Sequence, residues 1–219
     1  MEINPSSLGG WLSALWQLAW GAMRFDAAAF SVVLEYSRGT LLALVVLLIG
    51  GFSYFFGQSA VLFANRIPPR RFLLSLLAGA IGLWASVFFW SASLWVVVSL
   101  LLGTRVDLGD VVAIVALSFA PYWLGFLILF PYLGSLFSKM LRGWVALILL
   151  MAVAVSFGLA FWQALLACAL GWGVFELLNR VPLLDLDRLE AWLWREGAGK
   201  TLQRDVDSLV DDMADKGGE

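Results

Sequence analysis

Long apolar runs alternate with short polar interruptions along most of the chain. In residues 8–37, Leu8, Trp11, Leu12, Leu15, Trp16, Leu18 and Ala19 make a broad apolar face, with Ser13, Gln17 and Gly21 away from its centre. Arg24 and Asp26 then interrupt it. That pattern predicts a helix lying in the membrane interface, with an extra span as the alternative, and a second short helix from Ala27 to Tyr36. Thr40 to Ala64 reads as the first clear span. It closes at Asn65-Arg66-Ile67-Pro68-Pro69-Arg70-Arg71, where two prolines stop a helix because each lacks an amide donor and restricts the residue before it. Phe72 to Leu102 is the second span, and Val111 to Phe137 the third. Lys139 and Arg142 are read as marking the next loop. Trp144 to Leu177 stays apolar for about 34 residues. As one helix it would reach about 51 Å at 1.5 Å per residue, far beyond a hydrocarbon thickness of about 30 Å. It is therefore divided into spans at 144–160 and 162–179, with a turn near Phe161-Trp162-Gln163.

The expected organisation is all-α: a polytopic transmembrane helical bundle of about five spans over residues 40–179. An N-terminal interfacial amphipathic region (1–39) precedes it, and an acidic amphipathic tail (180–219) follows. In the tail Leu186, Leu189 and Leu193 share one helical face. Beyond Gly197 to Gly199, Leu202, Val206, Leu209, Val210 and Met213 fall at i, i+4, i+7, i+8 and i+11. That periodicity gives one apolar stripe, read as a surface for a protein partner.

Composition supports the membrane reading. Apolar residues make up 62% of the chain and charged residues 14%, against about 45–50% and about 25% in soluble domains. Between Thr40 and Leu102 the only charges are Arg66, Arg70 and Arg71, and between Val111 and Phe175 only Lys139 and Arg142. Twelve tryptophans suit a chain whose indole rings sit at headgroup level. Met1 to Met23 carries no lysine or arginine, so the start does not read as a cleaved signal peptide. With five spans, eleven basic residues fall on the side of the tail and three on the other, which predicts a cytoplasmic C-terminus. The expected location is a bacterial inner membrane or an internal, thylakoid-type membrane.

Candidate chemistry is sparse. One cysteine, Cys168, and no histidine exclude an internal disulfide, a histidine-based metal site and a Ser/His/Asp or Cys/His arrangement. No cofactor, metal or nucleic-acid partner is expected, and the chain is read as not an enzyme. Gly197-Ala198-Gly199-Lys200-Thr201 lacks the glycine of a phosphate loop, since Trp194 holds that place. Glu176 is the one carboxylate inside an apolar span, and Arg180 at i+4 reads as its interfacial partner. The third span carries Ala120-Pro121-Tyr122 and Phe130-Pro131-Tyr132. Each proline frees a carbonyl, of Leu117 and of Leu127, which needs another partner in lipid. Gln58, Asn65, Pro121, Tyr122, Pro131 and Tyr132 are thus the candidate polar and kink cluster. Small residues recur four apart at Ala78, Gly82 and Ser86, at Ala152, Ser156 and Ala160, and at Ala167 and Gly171, and read as helix-packing stripes.

Three stretches resemble the Yip1-domain family, especially its bacterial branch: Gly57-Gln58-Ser59-Ala60-Val61-Leu62-Phe63-Ala64-Asn65-Arg66, the run from Ala120-Pro121-Tyr122 to Phe130-Pro131-Tyr132-Leu133-Gly134, and the closely joined last two spans. The resemblance covers about Asp26 to Asn179 and implies a five-span bundle. Eukaryotic relatives act in membrane trafficking and bind small GTPases through a cytosolic N-terminal segment, which has no match here. The expected function is a non-catalytic membrane scaffold or accessory protein that sits among membrane lipids and docks a protein partner or membrane complex by its tail or bundle surface. The other reading is a small channel or transporter using the kinked third span, with a hydrated cavity beside Pro121, Tyr122 and Gln58. Enzymatic work on a lipid lacks a convincing set of acids, bases or ligands.

Overall fold

The computed structural model describes residues 8–58, 69–101, 103, 105–130 and 133–179. Among them every regular element is helical: α1 (Leu8–Met23), α2 (Ala27–Glu35), α3 (Gly39–Gln58), α4 (Pro69–Val96), α5 (Leu108–Ser118), a 3₁₀ segment (Ala120–Leu129), α6 (Gly134–Ser156) and α7 (Phe161–Asn179). One π-helical turn, Val97–Leu101, extends α4. Four helical stretches are long and apolar enough to cross a membrane: Gly39–Gln58, Ile81–Leu100, Leu108–Leu129 and Gly134–Ser156. That count is compatible with an integral membrane protein. In α7 the qualifying apolar stretch is the shorter Phe161–Val174.

The predicted break between the first two helices is present. Phe25 takes φ +61°, and Asp26 caps α2 by accepting from the Ala28 amide at 2.9 Å. Gly21 lets the two helices close, since a Cβ there would stand 2.9 Å from that of Ala29. Leu18, Ala22, Phe30 and Val33 are buried between this pair and the bundle. The Trp144 indole, donating to the Met23 carbonyl at 3.1 Å, ties the end of α1 to α6. Leu12, Trp16 and Trp20 remain exposed one turn apart along α1.

Close approaches define the bundle. A Cβ on Gly51 would meet Leu83, and one on Gly79 would meet Phe55, so α4 runs antiparallel to α3. Gly50 faces Phe119 and Tyr122, while Gly57 faces Gly125 and Ile128, so the 3₁₀ segment runs parallel to α3. At Gly171, α7 crosses α4 with a Cβ position 3.1 Å from Leu94 Cα. In lipid, association of this kind is driven by backbone proximity and packing, because tails are as apolar as leucine. α5 lies at the centre, with every residue from Val111 to Ser118 buried. An all-round apolar helix belongs in such a place.

Several boundaries differ from the expectation. The third span is two elements: α5 ends at Ser118, and a 3₁₀ segment runs from Ala120 to Leu129 instead of a kinked helix to Phe137. The carbonyls freed by proline find backbone partners. The Phe119 amide reaches those of Ala116 and Leu117, and the Phe130 amide donates to Leu127 at 3.2 Å. Phe130 is extended, at φ −64° and ψ 122°, as a residue before proline should be. The next helix begins at Gly134, ten residues before the expected Trp144, so Lys139 and Arg142 lie in α6 and not in a loop. The last turn comes before Phe161. Gly158, at φ +62°, lets the Leu159 amide reach back to the Ala154 carbonyl at 2.9 Å, a glycine-terminated helix end. The Gln163 side chain then accepts from the Ala160 amide at 2.9 Å and starts α7. The expected end of the first span at Ala64 and the whole of 180–219 lie outside the described residues.

Candidate functional site

Where α3, the 3₁₀ segment and α6 meet, the bundle brings several polar side chains together. Ser53 on α3 donates to the Trp123 carbonyl at 2.8 Å and accepts from the Phe126 amide at 3.2 Å. The Trp123 indole donates back to the Val46 carbonyl at 2.9 Å. The two Ser53 bonds serve backbone groups of the 3₁₀ segment, whose tight geometry leaves such groups short of partners. Gly57 and Gly125 let the two elements touch backbone to backbone.

At the next residue of α3, Tyr54 stacks on Tyr122, with ring centroids 4.2 Å apart and planes 10° apart. The Tyr54 hydroxyl is 3.1 Å from Ser138 Oγ of α6. Arg142, at i+4 from Ser138, donates from Nη2 to that Oγ at 3.3 Å and from Nε to the Ser138 carbonyl at 3.4 Å. Tyr122 also meets Phe119 edge-on at 5.2 Å, and Phe119 meets Trp90 at 6.2 Å. An aromatic ladder therefore runs from α3 through the 3₁₀ segment to α4.

Beside this ladder lies a cavity of about 650 Å³ between α4, α6, α7 and the end of α5. Its walls include Trp90, Tyr122, Leu150, Leu165 and Trp172, and Arg142 is the one charged side chain among its described lining residues. The cavity is otherwise apolar, so it suits an apolar or amphiphilic occupant better than a hydrated solute.

Of the candidate cluster, Pro121 and Tyr122 are buried at this junction. Gln58 is exposed at the end of α3 and does not line the cavity. Asn65, Pro131 and Tyr132 lie outside the described residues, as do the stripe Leu202, Val206, Leu209, Val210 and Met213, the Gly197–Thr201 run and Arg180. Glu176 is partly buried on α7. The structure brings Tyr122 together with Tyr54, Ser138 and Arg142, which the sequence reading missed. The signal for the last two was their i, i+4 spacing, hidden by reading that stretch as a loop. Among the small-residue stripes, Ala152, Ala167 and Gly171 pack inside the bundle, whereas a Cβ on Gly82 would meet nothing within 4 Å. Compared with protein families, with curated proteins and with solved structures, the chain shows no match.

Proposed function

We propose that the chain is a non-catalytic integral membrane scaffold of the Yip1-domain kind, crossing the bilayer five times with α7 as the fifth crossing. In this reading α1 lies in the interface, the C-terminus is cytoplasmic, and the tail docks a protein partner. One observation carries the preference for a scaffold. The polar side chains at the junction of α3, the 3₁₀ segment and α6 are engaged with one another and with backbone, in bonds of 2.8–3.4 Å that fix a shape. A channel or transporter would need polar groups turned toward a solute path, and the cavity beside Tyr122 is apolar except for Arg142. The tail sequence spaces its apolar residues as one helical stripe would and carries ten acids against five basic residues from Asp185 to Glu219. Anionic lipid repels such a segment, which leaves a protein groove as its better host.

The test is affinity purification of the tagged chain from a mild detergent extract, with and without Thr201 to Glu219. The proposal expects at least one co-purifying protein to disappear with the tail. An unchanged set of partners would sink the docking role.

A further inference from the structure

Two side chains at the cavity keep donor capacity that their described hydrogen bonds do not use: Arg142 in part, Trp90 in full. Arg142 sits about 12 Å along α6 from Gly134, at 1.5 Å per residue. A guanidinium offers five N–H donors, and the two bonds Arg142 makes to Ser138, at 3.3 and 3.4 Å, are long for a charged donor. No carboxylate belongs to the described cavity lining. Across the cavity, the Trp90 indole nitrogen is buried and has no hydrogen-bond partner. Arg142 is an exposed charge on a helix of span length, a placement that marks a functional position, and an unsatisfied buried N–H such as that of Trp90 wants an acceptor.

We propose that the cavity holds one anionic phospholipid, with its phosphate on Arg142, an ester carbonyl offered to Trp90, and an acyl chain along Leu147, Leu150, Leu165 and Trp172. The order of the helices fits this. Arg142 and the exposed Lys139 lie near the start of α6, and Trp172 lies toward the end of α7, so both helices bring these residues to the same side of the bundle. Leu165, two turns earlier in α7, lies farther from that side. The volume, about 650 Å³, is within the range of about 300–1,000 Å³ typical of ligand sites. An apolar helix packed here would leave the Arg142 charge without a counter-charge and the Trp90 N–H without an acceptor. A zwitterionic lipid would bring its own ammonium against the arginine. An anionic lipid answers both donors, and this site is independent of any docking by the tail.

Native mass spectrometry of the full chain in a mild non-ionic detergent tests the assignment. Phosphatidylglycerol and phosphatidylcholine of matched chains are the added probes. The wild type should retain one phosphatidylglycerol per chain, with about a tenfold preference over phosphatidylcholine, because both lipids offer a phosphate and only the second brings a fixed cation against Arg142. Arg142→Gln should reduce that preference to about twofold or less, and Arg142→Lys should restore part of it, since a lysine keeps the charge and loses the fork. Ala146→Trp, at an exposed lining position, should fill the space and abolish retention of both lipids without disturbing the core. An unchanged preference in Arg142→Gln would overturn the proposal. So would full lipid retention in Ala146→Trp, or a lipid-free dimer as the species that occupies the cavity.

Discussion

Tyr54 joins three elements through one side chain. Its ring lies on Tyr122 of the 3₁₀ segment, and its hydroxyl meets Ser138 of α6, 84 positions away in the chain. Replacing it with phenylalanine keeps the stack and removes the bond. The expected loss is about 0.5–1.5 kcal/mol of unfolding free energy for the detergent-solubilised protein. Because both side chains serve the same contact, Tyr54→Phe combined with Ser138→Ala should cost less than the sum of the two single changes, a non-additivity that a double-mutant cycle measures. Full additivity would mean that the hydroxyl and Ser138 do not act on each other. At this scale the sequence exposed only half of the site. Pro121-Tyr122 stands out in an apolar run because proline removes a helical donor. Tyr54 does not, because nothing in its own neighbourhood announces a partner so distant in sequence.

Among the elements, glycine position matters more than the count of small residues. Gly125 packs where any Cβ would collide with the backbone of Tyr54, whereas a Cβ on Gly82 meets open space. Gly125→Ala should therefore force α3 and the 3₁₀ segment apart and cost about 1–3 kcal/mol, the scale of overpacking. Gly82→Ala should be neutral or stabilising by up to about 1 kcal/mol through helix propensity. Thermal unfolding of the two variants side by side checks both, and equal effects would contradict the packing described. The spacing-four rule had selected Gly82 along with Gly171, and the fold uses the second as a close contact and leaves the first open. Element existence was readable because long uncharged runs in a chain this apolar have few other solutions. Element ends were not, since residues on both sides of a boundary are equally apolar. The change to 3₁₀ geometry at Ala120 carries no period that a hydrophobic pattern reveals. Lys139 and Arg142 read as a loop because charge is the usual sign of an exit from lipid, yet α6 carries both.

For the whole molecule, the distribution of exposed side chains is the decisive physical feature. Trp16, Ile81, Phe88, Leu100, Leu147, Trp162, Leu166 and Trp172 are each more than half exposed on the outside of the helices. A protein in water seldom exposes so many large apolar side chains. A bilayer removes the difficulty and also explains why the helices join by glycine contacts and shared hydrogen bonds. The proposed five-crossing arrangement makes its own forecast. In a Cys168→Ala background, cysteines placed at Arg105 and Ala160 should react with an impermeant maleimide from one side of the membrane. Cysteines at Leu133 and Ser208 should react from the other. Labelling of the Ala160 and Ser208 positions from the same side would mean that α7 does not cross, leaving four crossings.

The most direct measurement of the account as a whole is alkaline carbonate extraction of membranes from cells expressing the full chain. The account predicts that the protein stays in the pellet and is released only by detergent, because its exposed apolar surface is held by lipid tails. Recovery in the carbonate supernatant as a dispersed monomer would contradict it.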